Sequence, residues 1–189
     1  IGLSLVGSEM CIRDRRGGRP HRTPVRPGVL TLYTDGAKAN NQAEDDDAIA
    51  GWGVAIIDAN NEHQRSLCGP VILERDHPAF FGALKHSNNT AELTAIGEAL
   101  LWIIQEPSLP WEIAIAYDST YAANTAMSSW RPRKNFTIIR WVQNLHRRVR
   151  KKHHLTLHHV RGHSNHEYND LADHLSLIHI SEPTRLNPI

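Results

Sequence analysis

The chain has 189 residues, with 21 lysines and arginines against 20 aspartates and glutamates and a net charge of +1. This length suits one ordinary domain with a hydrophobic core, and no apolar run reaches the roughly 20 residues of a transmembrane helix. The two cysteines, Cys11 and Cys68, are too few to indicate a disulfide framework, so we expect a reducing, intracellular compartment.

The first half of the chain predicts three strands and then a helix. Val29 to Thr34 alternates as a strand does, and Gly51 to Asp58 and Glu62 to Ile72 form a hairpin through a turn at Asn60-Asn61. A polar, acidic loop covers 38–47, and 73–88 look irregular. Apolar residues from Leu93 to Ile104 then repeat at helical spacing.

The second half alternates strands with helices. Glu112 to Tyr117 and Leu155 to Val160 predict strands. Helices are predicted over 119–129, around Ile138 to Val149, and from Asn165 onward. A hairpin of three strands followed by alternating helices and strands predicts an α/β fold with a five-stranded mixed sheet flanked by helices.

Both ends of the chain differ in character from the middle. Ile1 to Arg15 and Leu177 to Asn187 resemble translated sequencing-adapter read-through, and residues 16–28 are rich in Arg, Pro and Gly. We therefore expect a disordered leader over 1–28, a single domain over 29–176 and an artefactual tail over 177–189. On this interpretation the last native helix ends soon after Asp173.

Four carboxylates stand in recognisable local contexts: Asp35, Glu92, Asp118 and Asp173. Two follow strand-like runs and two lie on helix-like segments, so one edge of a sheet can gather all four. Clustered acids resist ionisation unless a cation lies between them. Oxygen-only clusters suit hard ions such as Mg²⁺ or Mn²⁺. The pattern indicates metal-assisted phosphoryl chemistry.

Each acid also has a structural explanation. Asn89 and Glu92 are three residues apart at a helix start, which suits a capping box. Asp35 before Gly36 suits a turn, and Asp118 before Ser119 suits a helix cap. Asp170 competes with Asp173 for the fourth position.

The motifs in chain order resemble the ribonuclease H family, type I class. They are Thr34-Asp35-Gly36, Asn88-Asn89-Thr90-Ala91-Glu92-Leu93, Asp118-Ser119, Val160-Arg161-Gly162-His163 and Asn169 with Ala172-Asp173. The resemblance implies the ribonuclease H-like fold, and metal and catalytic roles for the four acids with His163 as a mobile catalytic histidine. It also implies two Mg²⁺ ions, which Mn²⁺ can replace, and an endonuclease that cuts the RNA strand of RNA–DNA hybrids to leave 3′-hydroxyl and 5′-phosphate ends.

The basic residues are concentrated in one segment. From Arg131 to Arg161 there are ten lysines and arginines and no acid, which suits a polyanionic partner and equally suits a solvated helix face. By the resemblance, amides match positions that line the hybrid groove, hydroxyls assist at a phosphate and basic side chains contact the backbone. The predicted nucleic-acid-binding residues are Asn41, Ser87, Asn88, Asn89, Thr120, Arg131, Arg133, Lys134 and Asn169.

Two further hypotheses stay open. In the first, the chain is a non-catalytic hybrid-binding module that keeps the fold; in the second, it is the ribonuclease domain of a retroelement polyprotein. The presence of all four acids argues against the first. We expect an RNA–DNA hybrid as the partner, with no membrane association and no obligate protein partner.

Overall fold

The computed structural model describes residues 28–39, 49–161 and 166–181. Within these ranges, five strands form one sheet in the order β3-β2-β1-β4-β5. The strands are β1 (Leu30–Lys38), β2 (Ala50–Ile57), β3 (His63–Pro70), β4 (Glu112–Tyr117) and β5 (His154–His159), and the helices are α1 (Asn88–Gln105), α2 (Thr120–Ala126), α3 (Phe136–Val149) and α4 (Glu167–Ser181). The predicted mixed five-stranded α/β fold is confirmed.

Strand β1 lies at the centre of the sheet. It pairs antiparallel with β2 and parallel with β4, and β5 extends the parallel half. Because β1 and β4 run in the same direction, with Thr34 opposite Tyr117, their carboxyl-terminal ends lie at the same edge. The residues that follow these two positions, Asp35 and Asp118, are therefore brought to one place.

The alternation of β1 divides the core between the two faces of the sheet. Leu32 points into the larger core, which α1 and α3 complete with residues such as Leu93, Ile96 and Val142. Tyr33 points into a smaller core on the other face, which is covered by α4. Both side chains are 0% exposed. Successive side chains of a strand point to opposite faces of the sheet, so β1 is buried on both faces.

The observed helices differ from the predicted ones at their ends. Helix α1 begins at Asn88, five residues before the first periodic apolar residue, because Ser87 caps it by accepting a hydrogen bond from the Thr90 amide. Helix α2 is shorter than predicted and ends at Ala126. Helix α4 runs to Ser181, so its last residues, 177–181, lie in the stretch that resembles adapter read-through.

Cys68 lies in the smaller core, 0% exposed, and is disulfide-bonded. The chain has one other cysteine, Cys11, which lies outside the described residues. One bond is not a disulfide framework of the kind that small secreted domains use, and the reducing compartment stays a prediction.

A search of the described helices finds none with the length and apolarity needed to cross a bilayer. The predicted leader and tail, residues 1–28 and 177–189, fall almost wholly outside the described ranges, apart from Gly28 and the end of α4.

Glu98 gives the first test of the packing on α1. Its side chain is buried at 6% exposure, and burial raises its pKa to about 7. The folded state therefore holds this proton more tightly than the unfolded chain, so the contribution of Glu98 to stability is lost as pH rises from about 4.5 to about 7.

We predict that Glu98→Gln stabilises the protein at pH 8 by roughly 1–3 kcal/mol and leaves stability at pH 4 nearly unchanged. Urea denaturation at both pH values measures the difference. Glu74→Gln, at an exposed position, is the matched control and should change stability little. An equal effect of Glu98→Gln at both pH values would contradict the prediction.

Candidate active site

Two of the four acids are placed by the central parallel pair of strands. Asp35 lies within β1, 6% exposed, opposite Gly53 of β2. Asp118 directly follows β4, before Ser119, whose side chain caps α2 by accepting from the Ala122 amide. The parallel register of the two strands thus sets the spacing between these carboxylates.

Helix α1 brings the third acid to the same edge. A methyl group added at Gly36 would lie 2.2 Å from the Ala91 carbonyl carbon and from the Glu92 amide nitrogen. Real Cβ atoms do not approach backbone so closely, so only glycine lets the first turns of α1 rest on β1 here. Glu92, on the second turn of α1, is held beside Asp35 as a result.

The three carboxylates meet closely. One oxygen from each of Asp35, Glu92 and Asp118 lies within 4.8 Å of the other two. In the part of the chain that is described, Glu92 Oε2 and Asp118 Oδ1 are buried without a hydrogen-bond partner. Buried acceptors without donors are costly, and a bound cation would offset that cost. An all-oxygen set of this kind fits Mg²⁺ or Mn²⁺.

Asp173 approaches this cluster from the opposite face of the sheet. It lies on α4, half-buried, and its charge acts on both Asp35 and Glu92, although it is not part of the close three-residue cluster. Asp170, one turn earlier, is exposed. Of the two candidates for the fourth position, Asp173 is the one whose field reaches the other acids.

The local environment raises the pKa of two of these groups. Burial is the main cause that raises the pKa of Asp35 to about 6, the Ser176 hydroxyl opposes the rise, and the charges of Asp118 and Asp173 add to it. Burial, followed by the charges of Asp118 and Asp35, raises the pKa of Glu92 well above its usual range. Desolvated like charges favour the neutral form, which a bound cation would reverse.

The positions of Asp35, Glu92 and Asp118 do not match the capping and turn roles that the sequence also suggested for them. The capping box of α1 is formed by Ser87 and Thr90, so Glu92 does not serve it. Asp35 lies inside a strand and not in a turn. Ser119, not Asp118, supplies the side chain that caps α2.

The predicted groove residues occupy different settings. Asn88 and Asn89 are exposed at the start of α1, where Asn88 Oδ1 accepts a hydrogen bond from the Lys38 amide. Ser87 is engaged as the helix cap, and Thr120 is exposed at the start of α2. Asn169 is buried at 2% exposure, so its side chain belongs to the interior beneath α4 rather than to the surface.

The predicted phosphate contacts lie away from the acids. Arg131, Arg133 and Lys134 are exposed in the segment between α2 and α3. Helix α2 starts just after Asp118 and is seven residues, or about 10 Å, long, and this segment follows its carboxyl-terminal end. His163 and Asn41 lie outside the described residues.

Two residues that the sequence analysis did not single out lie close to the acids. Ser176 Oγ is 2.7 Å from Asp35 Oδ2, and a ring nitrogen of His159 is 3.2 Å from the Asp118 carbonyl oxygen. Ser176 follows Asp173 by three residues, which places both on one side of a helix. That spacing was the available signal for Ser176, whereas one histidine among thirteen carried none.

Comparison with known proteins connects this geometry to a family. The family profile described as RNase H matches residues 27–179. A curated relative, ribonuclease H of Chlorobium luteolum, is 27% identical over 164 residues, which are 78% of this chain and 92% of that protein.

Solved structures show the same fold. The RNase H1 of the halophilic archaeon Halobacterium salinarum superposes with a TM-score of 0.60 at 16% identity, covering 82% of this chain and 98% of that one. A second match is LC11-RNase H1, isolated from compost by a metagenomic approach, in a structure with an RNA/DNA hybrid. It superposes with a TM-score of 0.52 at 19% identity, covering 78% of this chain and 96% of that one.

The repulsion in the cluster predicts the behaviour of the protein without metal. The pKa of Asp35 is raised to about 6 in the folded protein. The contribution of Asp35 to the stability of the fold is therefore lost as pH rises from about 4 to about 6. We expect Asp35→Asn, which keeps an acceptor for Ser176, to raise the melting temperature in a chelator at pH 8 by roughly 5 °C.

The same variant should respond less than the wild type to added Mg²⁺ or Mn²⁺, since one ligand charge is gone. Differential scanning calorimetry at pH 4 and pH 8, with and without metal, checks both statements. A lower melting temperature for the metal-free variant at pH 8 would contradict the account of the cluster.

Proposed function

The chain belongs to the RNase H family, and from that premise we propose that it cuts the RNA strand of RNA–DNA hybrids with two divalent ions, leaving 3′-hydroxyl and 5′-phosphate ends. The family assignment confirms the ribonuclease prediction at its coarser level. The observation that carries the finer proposal is the meeting of Asp35, Glu92 and Asp118 within 4.8 Å at the end of the central strands.

Each acid has a distinct place in the proposal. Asp35 is central in the sheet and receives the fields of the acids from both faces, which suits a ligand shared by both ions. Glu92 and Asp118 would complete one site from the α1 side, and Asp173 would serve the other from α4. When bound, two such ions acidify the attacking water and neutralise the charge on the leaving oxygen.

The remaining residues would bind and position the hybrid. Asn88 and Asn89 offer exposed amides, which donate and accept hydrogen bonds as recognition of a 2′-hydroxyl requires. Arg131, Arg133 and Lys134 would contact phosphates at the far end of α2, which favours affinity without sequence preference. His163 would carry a proton near the site, since imidazole titrates near neutrality. The hybrid bound by LC11-RNase H1 supports this class of partner.

The first test uses a hybrid with a fluorophore on the RNA strand, incubated with the protein and Mg²⁺. We expect internal cuts in the RNA and none in the DNA strand, in duplex RNA or in duplex DNA. Products that accept nucleotides from a 3′-end polymerase and ligate through their 5′ ends would match the proposed termini. Tight hybrid binding by folded protein, with no cleavage in either Mg²⁺ or Mn²⁺, would instead favour the non-catalytic binding module.

The central ligand gives a sharp prediction for activity. Asp35→Asn removes the charge of the proposed shared ligand, so hybrid cleavage should fall by at least about 10²-fold, more than the loss on removing an outer-shell partner. Circular dichroism and hybrid affinity in Ca²⁺ should stay close to wild type. Cleavage at the wild-type rate would refute the assignment of Asp35.

The fourth acid can be tested with a matched pair on one helix. Asp173→Asn should lower the cleavage rate by on the order of 10²-fold, because its field reaches Asp35 and Glu92. Asp170→Asn makes the same chemical change one turn away at an exposed position and should leave the rate within about twofold. Equal losses in both variants would show that the effect comes from the helix and not from the carboxylate.

A further inference from the structure

Helix α4 lies unusually close to strand β2, and two glycines make this approach possible. A methyl group at Gly53 would lie 2.4 Å from the Ala172 carbonyl oxygen and 2.8 Å from the Ser176 amide nitrogen. One at Gly51 would lie 2.3 Å from the Ser176 carbonyl oxygen. All three distances are too short for any side chain, so the backbone of α4 around Ser176 rests directly on the sheet.

This approach brings the Ser176 side chain to the central acid. Gly53 is the register partner of Asp35, so the point where α4 contacts β2 lies next to that carboxylate. Ser176 is 0% exposed, and its Oγ lies 2.7 Å from Asp35 Oδ2 and 2.8 Å from the Asp173 carbonyl oxygen.

A hydroxyl has one proton, so these two acceptors compete for it. A serine inside a helix commonly donates to a carbonyl one turn earlier, here that of Asp173. A buried carboxylate is the stronger acceptor, because charge-assisted hydrogen bonds are shorter and stronger than neutral ones. The hydroxyl thus lies between the Asp35 carboxylate and the backbone that carries Asp173.

We propose that Ser176 is a positioning residue for the metal site. Its hydroxyl holds the Asp35 carboxylate through Oδ2 and fixes that carboxylate relative to Asp173. The inference rests on the proposed function, since it concerns the same carboxylates. A hydrogen-bonded ligand keeps one orientation and loses less freedom when the ion binds. Ser176 immediately precedes the adapter-like stretch and so belongs to the predicted domain, 29–176.

The test compares Ser176→Ala, which removes the donor, with Ser176→Thr, which keeps it. The main measurement is the affinity of the full chain for Mn²⁺ without nucleic acid, by isothermal titration calorimetry. We expect Ser176→Ala to bind Mn²⁺ about 10-fold more weakly and Ser176→Thr to recover most of that loss. With hybrid, kcat should fall at low Mn²⁺ and recover partly at high Mn²⁺, while KM for the hybrid stays unchanged.

Ser66→Ala is the matched control. Ser66 is also buried, at 4% exposure, and its hydroxyl lies 2.9 Å from His63 Nε2 on the outer strand β3. Its removal should leave Mn²⁺ affinity within about twofold of wild type. If Ser176→Ala does not fold, Ser176→Cys keeps a similar shape with a weak donor, and it should show the same loss of affinity.

The outcomes separate this inference from the proposed function. Wild-type Mn²⁺ affinity in folded Ser176→Ala, or a loss that Ser176→Thr does not recover, would overturn the role of Ser176 and leave hybrid cleavage untouched. Mn²⁺ binding that depends on Ser176 in a protein that cleaves no hybrid would support the role and overturn the activity. A wild-type protein that binds no Mn²⁺ would overturn both the role of Ser176 and the metal site.

Discussion

Mutual repulsion between buried carboxylates is the constraint on which the rest of this structure depends. Three acids share a space of 4.8 Å, and at least two of them, Asp35 and Glu92, are desolvated enough to hold a proton more tightly than usual. Such a group of charges costs stability in the metal-free chain. The stabilisation that offsets this cost must therefore come from the rest of the fold. The packing around the acids must also be stiff enough to keep them together.

The glycines show how that packing is achieved. Gly36 admits the first turns of α1 on one face of the sheet, and Gly53 admits α4 on the other. Both lie at the level of Asp35, one as its neighbour in β1 and the other as its partner in β2. The central acid is thus approached from two faces at a point where no side chain on the sheet separates the layers. Close backbone contact replaces side-chain packing there, so the backbones that carry Asp35 and Glu92 cannot separate without lifting α1 from the sheet.

Much of the fold and most of the acids could be predicted from local pattern. Runs of strand-forming residues identified all five strands, and the motifs around Asp35, Glu92 and Asp118 indicated an oxygen-ligand metal site. Other features were not available locally. The capping box of α1 uses Thr90 instead of Glu92, and helix α2 ends earlier than predicted, at Ala126. Both features depend on which atoms meet in space, and a capping motif or a helical run is compatible with several arrangements.

The sequence by itself determined the chemistry of the site: which carboxylates end strands or begin helices, and that oxygen ligands without cysteine suit a hard cation. Tertiary structure alone decided that Asn169 is interior and that Ser176 reaches Asp35. The physical reason is that side-chain type and local conformation are encoded over a few residues. The separation between Asp35 and Ser176, 141 positions apart in the chain, is set by how closely α4 and β2 pack.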